Sequence, residues 1–160
     1  MGADVTRTAF GVDGSGIKIG IISDSFAKIA GGHAAGIASG DLPGPGNPNN
    51  YLTPVNIVQD DLSAFSTDEG RGMAELIHDV APGAELLFHS AFNNPQSSPG
   101  GTIATAITNL KNAGADIIVD DVFWIGSPIY QDGLAAQAAD AAFAAGIPYF
   151  SSAGNNSNNA

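Results

Sequence analysis

Short apolar runs rich in β-branched residues alternate with helix-forming segments along most of the chain. The clearest run is residues 17–23, IKIGIIS, which is typical of a strand buried on both faces of a parallel sheet. Four further runs are residues 55–58, 85–88, 117–119 and 148–152. Strands that alternate with helices form βαβ units. We therefore predict an α/β fold with a doubly wound, mostly parallel sheet and helices on both faces.

The predicted helices fall between these strands. Apolar residues recur at helical spacing in residues 66–80, and an alanine-rich segment, residues 131–145, ends at a glycine. Thr102 is predicted to cap another helix, which Gly114 ends. Residues 27–38 predict a weaker helix, interrupted by two glycines. All of these helices lie in one domain, because no internal repeat or second apolar core is present.

Composition excludes several classes of function. The chain has 160 residues, a formal net charge of −11 and only 5 Lys and Arg residues, so no basic patch for nucleic acid can form. No apolar run is long enough to span a membrane. Cysteine is absent, which excludes disulfides and thiolate metal sites. No cofactor is predicted, and calcium binding has no support in the sequence. Acidic, cysteine-free composition is typical of secreted bacterial proteins, so we expect an extracellular location.

Candidate site residues lie where predicted strands end, since parallel sheets bind ligands at the carboxyl ends of their strands. Asp24 directly follows the first strand, and Asn155 follows the last one in an Ala-Gly-Asn turn. Asp120 and Asp121 follow the fourth strand. This acidic pair fits three interpretations: an auxiliary acid, a preference for basic substrate side chains, or two solvated loop carboxylates.

Glu69 lies in the third predicted helix, and its local pattern has a structural explanation. Ser66 and Glu69 have the spacing of a capping box, in which the glutamate reaches back to the backbone N–H of the cap residue. However, Gly70 and Gly72 weaken the same helical turn, which indicates that another backbone or a substrate comes close there. His78, nine residues after Glu69, is predicted on the opposite helix face as a partly buried or surface residue.

Taken in order, these segments resemble the subtilisin-like serine peptidases. Residues 16–25 resemble the strand that delivers the catalytic Asp, and residues 69–84 resemble the His-Gly-Thr helix with its Val-Ala-Pro exit. Residues 115–119 resemble the strand leading to the substrate-binding edge, and residues 146–155 resemble the Ala-Gly-Asn turn of the oxyanion hole. The resemblance covers residues 11–155. It implies a serine-type endopeptidase that acts on polypeptides.

The resemblance assigns roles to five residues. Asp24 and Glu69 are the expected catalytic pair, with Glu69 as general base in place of histidine and Asp24 orienting it and sharing its proton. Asn155 is expected at the oxyanion hole, and Asp121 and Val122 on the strand that binds substrate. Two carboxyls at the centre of the mechanism imply an acidic pH optimum.

Two departures limit the resemblance. The sedolisins, a branch that uses Glu as base, pair it with an Asp one helical turn later and place Asp at the oxyanion hole. This chain has Met73 and Asn155 at those positions. The nucleophile motif Gly-Thr-Ser-x-Ala is also absent from the sequence. We therefore expect residues 1–160 to form a single partial subtilisin/sedolisin-like peptidase domain that lacks the nucleophile segment, is inert alone and can self-associate.

Two other interpretations stay open. A non-catalytic subtilisin-like module that binds a peptide or protein partner would also lack histidine and nucleophile. Alternatively, an unrelated α/β binding domain could use Asp24, Asp120 and Asp121 as a metal cluster.

Overall fold

Strand β1 (Lys18–Ser23) lies at the centre of a five-stranded sheet in the computed structural model, which describes residues 2–63, 66–92, 101–123, 127–128 and 130–154. The other strands are β2 (Asn56–Gln59), β3 (Glu85–Ser90), β4 (Ile117–Asp120) and β5 (Tyr149–Ser151). Their order is β2-β3-β1-β4-β5, and every neighbouring pair is parallel. The predicted α/β fold with a parallel sheet is confirmed.

Helices cover both faces of this sheet. They are α1 (Ala3–Phe10), α2 (Gly32–Ser39), α3 (Glu69–Val80), α4 (Gly101–Asn112) and α5 (Leu134–Ala144). Ile21 packs in a buried cluster with Phe88 and with Ala74 of α3, on what we call the α3 face. Its neighbour Ile22 packs on the other side with Leu110 of α4 and Ala142 of α5, on the α4/α5 face. None of the helices in the described ranges is long and apolar enough to cross a membrane.

The strand order places a crevice at the ends of β1 and β4. From β1 the chain continues to β2 at one edge of the sheet, whereas from β4 it continues to β5 at the other edge. Adjacent parallel strands whose connections leave in opposite directions border the usual ligand crevice of α/β proteins. Asp24 directly follows β1 and Asp121 directly follows β4. Both carboxylates therefore lie at this crevice.

The first helix was not expected from the sequence. Helix α1 buries none of its residues, so it has no apolar face that a periodic pattern could reveal. It is held by Arg7, whose Nη1 donates to the carbonyl oxygens of Asp79 at 2.7 Å and Val80 at 3.0 Å. These carbonyls belong to the last turn of α3, where unpaired backbone acceptors favour a cation.

Several predicted helix starts are wrong. Helix α3 begins at Glu69 instead of Ser66, and its N-cap is Asp68, whose φ of 64° places it in the left-handed region. The predicted capping box therefore does not form. Thr102 lies inside α4 instead of capping it. Helix α5 begins at Leu134 instead of residue 131, and α2 begins at Gly32 instead of residue 27.

Candidate active site

Asp24 connects the end of β1 to the start of α3. Its Oδ2 accepts hydrogen bonds from the Thr67 backbone N–H at 2.5 Å and the Thr67 hydroxyl at 2.7 Å. Its Oδ1 accepts from the backbone N–H of Ser25 and, at 3.4 Å, from that of Gly70. The residues bound by Asp24 thus lie on both sides of Glu69 in the sequence. The carboxylate fixes the segment that carries the predicted base.

These hydrogen bonds also keep Asp24 charged. Burial alone would raise the pKa of its carboxyl, but the bonds from Thr67, Ser25 and Gly70 outweigh burial and hold the pKa below the ordinary value. A carboxylate that accepts only N–H and O–H donors is stabilised in its ionised form. Asp24 is therefore built to remain an anion.

Glu69 is the first residue of α3, and its side chain is exposed at the crevice end of the helix. Within the described residues, no hydrogen bond joins the Glu69 and Asp24 carboxyls. The proton sharing expected between this pair therefore stays a prediction. The position of Glu69 agrees with a base that faces a substrate, since its carboxyl is not consumed by a helix cap.

The two glycines after Glu69 have different surroundings. A Cβ on Gly70 would lie 2.7 Å from the carbonyl oxygen of Ser25 and would overlap the Phe88 ring. The predicted close approach of another backbone is thus confirmed at Gly70. A Cβ on Gly72 would meet nothing within 4 Å. Only Gly70 is required for α3 to approach the end of β1.

Asp68 holds the β1 loop, which we define as residues 24–29. Its side chain is 1% exposed and forms an ion pair of 2.5 Å with Nη1 of Arg71. It accepts hydrogen bonds from the backbone N–H groups of Lys28 at 2.7 Å and Ile29 at 2.8 Å, and from the Ser25 hydroxyl at 3.0 Å. Burial opposes ionisation, but these partners outweigh it and lower the pKa of Asp68.

Asp60 holds the same loop from the end of β2. Its two oxygens accept hydrogen bonds from the backbone N–H groups of Phe26 and Ala27, each at 2.9 Å. Lys28 in turn donates from Nζ to the Leu62 carbonyl at 2.8 Å. Asp60, Asp68 and Thr67 could not be predicted from the sequence, because their partners lie more than thirty positions away.

Asp120 and Asp121 point to opposite faces of the sheet, as successive residues along a strand do. Asp120 is 6% exposed and accepts hydrogen bonds from the hydroxyls of Tyr149 and, at 3.0 Å, Ser151. Asp121 is half-buried and accepts from the hydroxyl of Ser23 at 3.0 Å. The interpretation of this pair as solvated loop carboxylates is wrong, because both side chains are partly or fully buried and hydrogen-bonded.

The carboxyl of Asp121 is easier to protonate than an ordinary aspartate. Burial raises its pKa, and the charges of Glu69 and Asp120 raise it further, against an opposing contribution from the Ser23 hydrogen bond. On the other face, burial and the neighbouring Asp120 raise the pKa of Tyr149, which keeps its phenol protonated as a donor. The charge of Glu69 therefore acts on Asp121, across the crevice.

The remaining candidates contribute less. Val122 is half-buried against the α4/α5-face cluster, and its backbone N–H donates to Asp120 at 3.0 Å. Its predicted role in substrate binding stays a prediction. Asn155 lies outside the described residues, which end at Gly154 in this region. His78 is 2% exposed near the end of α3, more buried than expected, and packs edge-on against Tyr51 at 5.3 Å.

The described residues contain no group of three or more His, Asp or Glu side chains placed to hold a metal ion. The Asp24 carboxylate is hydrogen-bonded to Thr67, just before α3. The Asp120 and Asp121 side chains point to opposite faces of the sheet. The geometry of this part of the chain therefore gives no support to the metal-cluster interpretation.

Comparison with known proteins identifies the fold. No family model and no curated protein matches the sequence. The prenylagaramide maturation protease PagA matches with a TM-score of 0.63 and 15% identity, covering 94% of this chain and 50% of its own. The self-cleaved protease domain of PatA gives 0.62 and 18%, covering 91% and 52%. The PatG macrocyclase in complex with peptide gives 0.55 and 14%, covering 99% and 56%.

These structures define the class of fold: the chain has the fold of the subtilisin-like proteases. The resemblance predicted from residues 16–25 and 69–84 is confirmed at this level. The chain spans about half the length of the structures that it matches.

Proposed function

We propose that this chain is part of a serine-type endopeptidase in which Glu69 is the general base. One observation carries the proposal: Asp24, at the end of β1, binds Thr67 and Gly70 and so fixes Glu69 at the crevice. The crevice is where parallel α/β sheets bind ligands. The fold of PagA and PatA, both described as proteases, supports peptide-bond hydrolysis.

A polypeptide is the proposed substrate. PatG, which shares the fold, is described in complex with peptide. Asp121 and Val122 follow β4 at the crevice and are proposed to contact the substrate. A composition with 16 acidic and 5 basic residues would favour substrates that are not themselves strongly acidic. The same acidic, cysteine-free composition supports a proposal of extracellular action.

The proposed reaction needs a serine from a segment outside this sequence. Its Oγ attacks the peptide carbonyl carbon, the C–O bond forms, and the carbonyl π pair moves to oxygen while Glu69 takes the hydroxyl proton. When the intermediate collapses, the C–N bond breaks and Glu69 gives that proton to the leaving amine. Water then repeats the sequence and releases the acid. Asn155 is proposed to donate to the oxyanion, a role worth about 3–4 kcal/mol.

The test is peptide hydrolysis by the natural protein that contains this chain together with a serine segment. Glu69→Gln should lower kcat/KM by about 10²-fold to 10⁴-fold, the range for a lost general base. Glu75→Gln is the matched control on the same helix and should keep activity, since the one ion pair of Glu75 within the described ranges is with Arg71 at 3.6 Å. The wild-type optimum should be acidic. Full activity of Glu69→Gln with an optimum above pH 8 would refute the proposal.

A non-catalytic peptide-binding module is the second candidate, favoured by Glu69 at the position where the resemblance expects a histidine. It predicts that the 160-residue chain binds peptides without cleaving them, and that the natural protein also lacks the Gly-Thr-Ser-x-Ala motif. The peptidase proposal likewise predicts an inert isolated chain. The sequence and activity of the natural protein therefore separate the two candidates.

A further inference from the structure

Asp121 directly follows β4, the strand next to β1, and so its carboxyl lies at the same crevice as Glu69, the first residue of α3. We propose that Asp121, in its protonated form, is the positioning residue that hydrogen-bonds the Glu69 carboxylate, while Asp24 serves as the anchor of α3. This inference rests on the proposed peptidase function and names a different partner for its base from the one expected from sequence.

Strand register puts Asp121 on the correct side of the sheet. In the β1–β4 pair, Ile22 lies opposite Asp120, and the Asp121 N–H donates to the Ile22 carbonyl at 3.4 Å. Val119, two residues before Asp121, packs with the α3-face cluster. Because side chains alternate along a strand, Asp121 is directed to the face that α3 covers. Glu69 begins that helix.

The hydrogen bonds of Asp24 and Asp121 differ in whether they allow the carboxyl to be protonated. Both oxygens of Asp24 accept from donors, including three backbone N–H groups that cannot reverse their direction. Protonating Asp24 would disrupt that arrangement. Asp121 accepts from the hydroxyl of Ser23 through Oδ2 alone. Ser23 can keep donating to that oxygen when Asp121 is protonated on Oδ1, whose single O–H is then available to Glu69.

The charges around Asp121 favour its protonated form. Glu69 at the start of α3 and the adjacent Asp120 are both carboxylates, and the charge of each raises the pKa of Asp121. The ion pairs of the described residues join Lys18 and Arg71 to other carboxylates, and none involves Asp121. Two neighbouring carboxyls without a nearby cation do not both ionise readily, so the pair favours the state in which one of them keeps its proton.

Helix α3 itself offers no substitute one turn after Glu69. That position is Met73, which packs against the α3-face core. A second carboxyl for Glu69 must therefore come from another element, and Asp121 at the end of β4 supplies it. With one proton on Asp121 and the charge on Glu69, the base is held by a hydrogen bond and remains able to accept the serine proton.

The direct test is a ¹³C NMR titration of the side-chain carboxyls in the 160-residue chain. The Asp121 pKa should lie above the ordinary value in the wild type and should fall in Glu69→Gln, because the substitution removes a like charge. Glu75→Gln, two turns further along α3, should leave the Asp121 pKa unchanged. The inference would be overturned if the Asp121 pKa did not change in Glu69→Gln, or if it changed by the same amount in Glu75→Gln.

Kinetics of the natural, serine-containing protein separate the two proposals. Asp121→Asn should lower kcat about tenfold or more, with little change in KM, and should shift the pH profile of kcat. An active peptidase with an unshifted profile in Asp121→Asn would overturn this inference alone. If the titrations of Asp121 and Glu69 are coupled but the natural protein hydrolyses no peptide, the proposed function is overturned. The catalytic role of these two residues is then overturned with it.

Discussion

The β1 loop and the end of β4 both place carboxylates at the same edge of the sheet, but they bind them differently. In and around the β1 loop, Asp24, Asp60 and Asp68 bind mainly backbone N–H groups. At the end of β4, Asp120 and Asp121 accept bonds from side-chain hydroxyls. N–H donors on both oxygens of a carboxyl favour the anion, because neither oxygen can then carry a proton without losing a bond, whereas hydroxyls also accommodate a protonated acid. The first region is therefore a fixed scaffold, and the second is able to exchange protons.

Because of this contrast, two roles that we expected Asp24 to combine are assigned to two different residues. Asp24 was expected both to orient Glu69 and to share its proton. Its contacts fit the first task, since it binds Thr67 and Gly70 around Glu69. The second task fits Asp121, whose environment raises its pKa.

The largest expected effect is the loss of the scaffold when Asp68 is removed. Asp68→Ala should lower the free energy of unfolding by about 3–5 kcal/mol, because it removes the shorter of the two ion pairs that Arg71 forms among the described residues and leaves three donors unsatisfied. Asp61→Ala is the matched control, since the Asp61 side chain bonds Ser63 alone among the described residues. Its cost should be about 1 kcal/mol or less. Urea denaturation measures the free energy of unfolding of both variants. Equal losses in Asp68→Ala and Asp61→Ala would show that Asp68 stabilises the fold no more than Asp61 does.

A smaller effect is expected at the glycines of α3. Gly70→Ala should cost about 1–3 kcal/mol, because the added methyl group meets Phe88 and the Ser25 carbonyl. Gly72→Ala has open space and should stabilise the helix by up to about 1 kcal/mol. Thermal melting of the two variants provides the measurement. A neutral Gly70→Ala would show that α3 does not need its close approach to β1.

The pH dependence of stability should distinguish the two regions in sign. Asp24 and Asp68 have lowered pKa values, so their contribution is present above the unfolded value of about 3.9 and is lost as pH falls through their folded pKa values. Asp121 has a raised pKa, so it lowers stability as pH rises from about 3.9 through its folded pKa.

Asp121→Asn should therefore gain stability relative to the wild type as pH rises through that interval, while stability below pH 3.9 changes little. Denaturation at a series of pH values checks this. A variant curve parallel to the wild type across the whole interval would show that Asp121 titrates normally.

The sheet could be predicted from the sequence because β-branched runs such as residues 17–23 mark buried strands directly. Helix α1 could not, since it buries no apolar side chain. The opposite directions of Asp120 and Asp121 follow from strand alternation once β4 is known to end at Asp120. The partners of Asp24 were not predictable, because Thr67 is brought to it only by the packing of α3 on the sheet.

The central claim is that the carboxyl after β4 takes up a proton more readily than the carboxyl after β1. It is tested most directly by the titration of Asp24 and Asp121 in one ¹³C-labelled sample of the wild-type chain. The account predicts that the Asp24 pKa lies below, and the Asp121 pKa above, the ordinary aspartate value of about 3.9. An Asp121 carboxyl that loses its proton at or below the pH at which Asp24 does would contradict it.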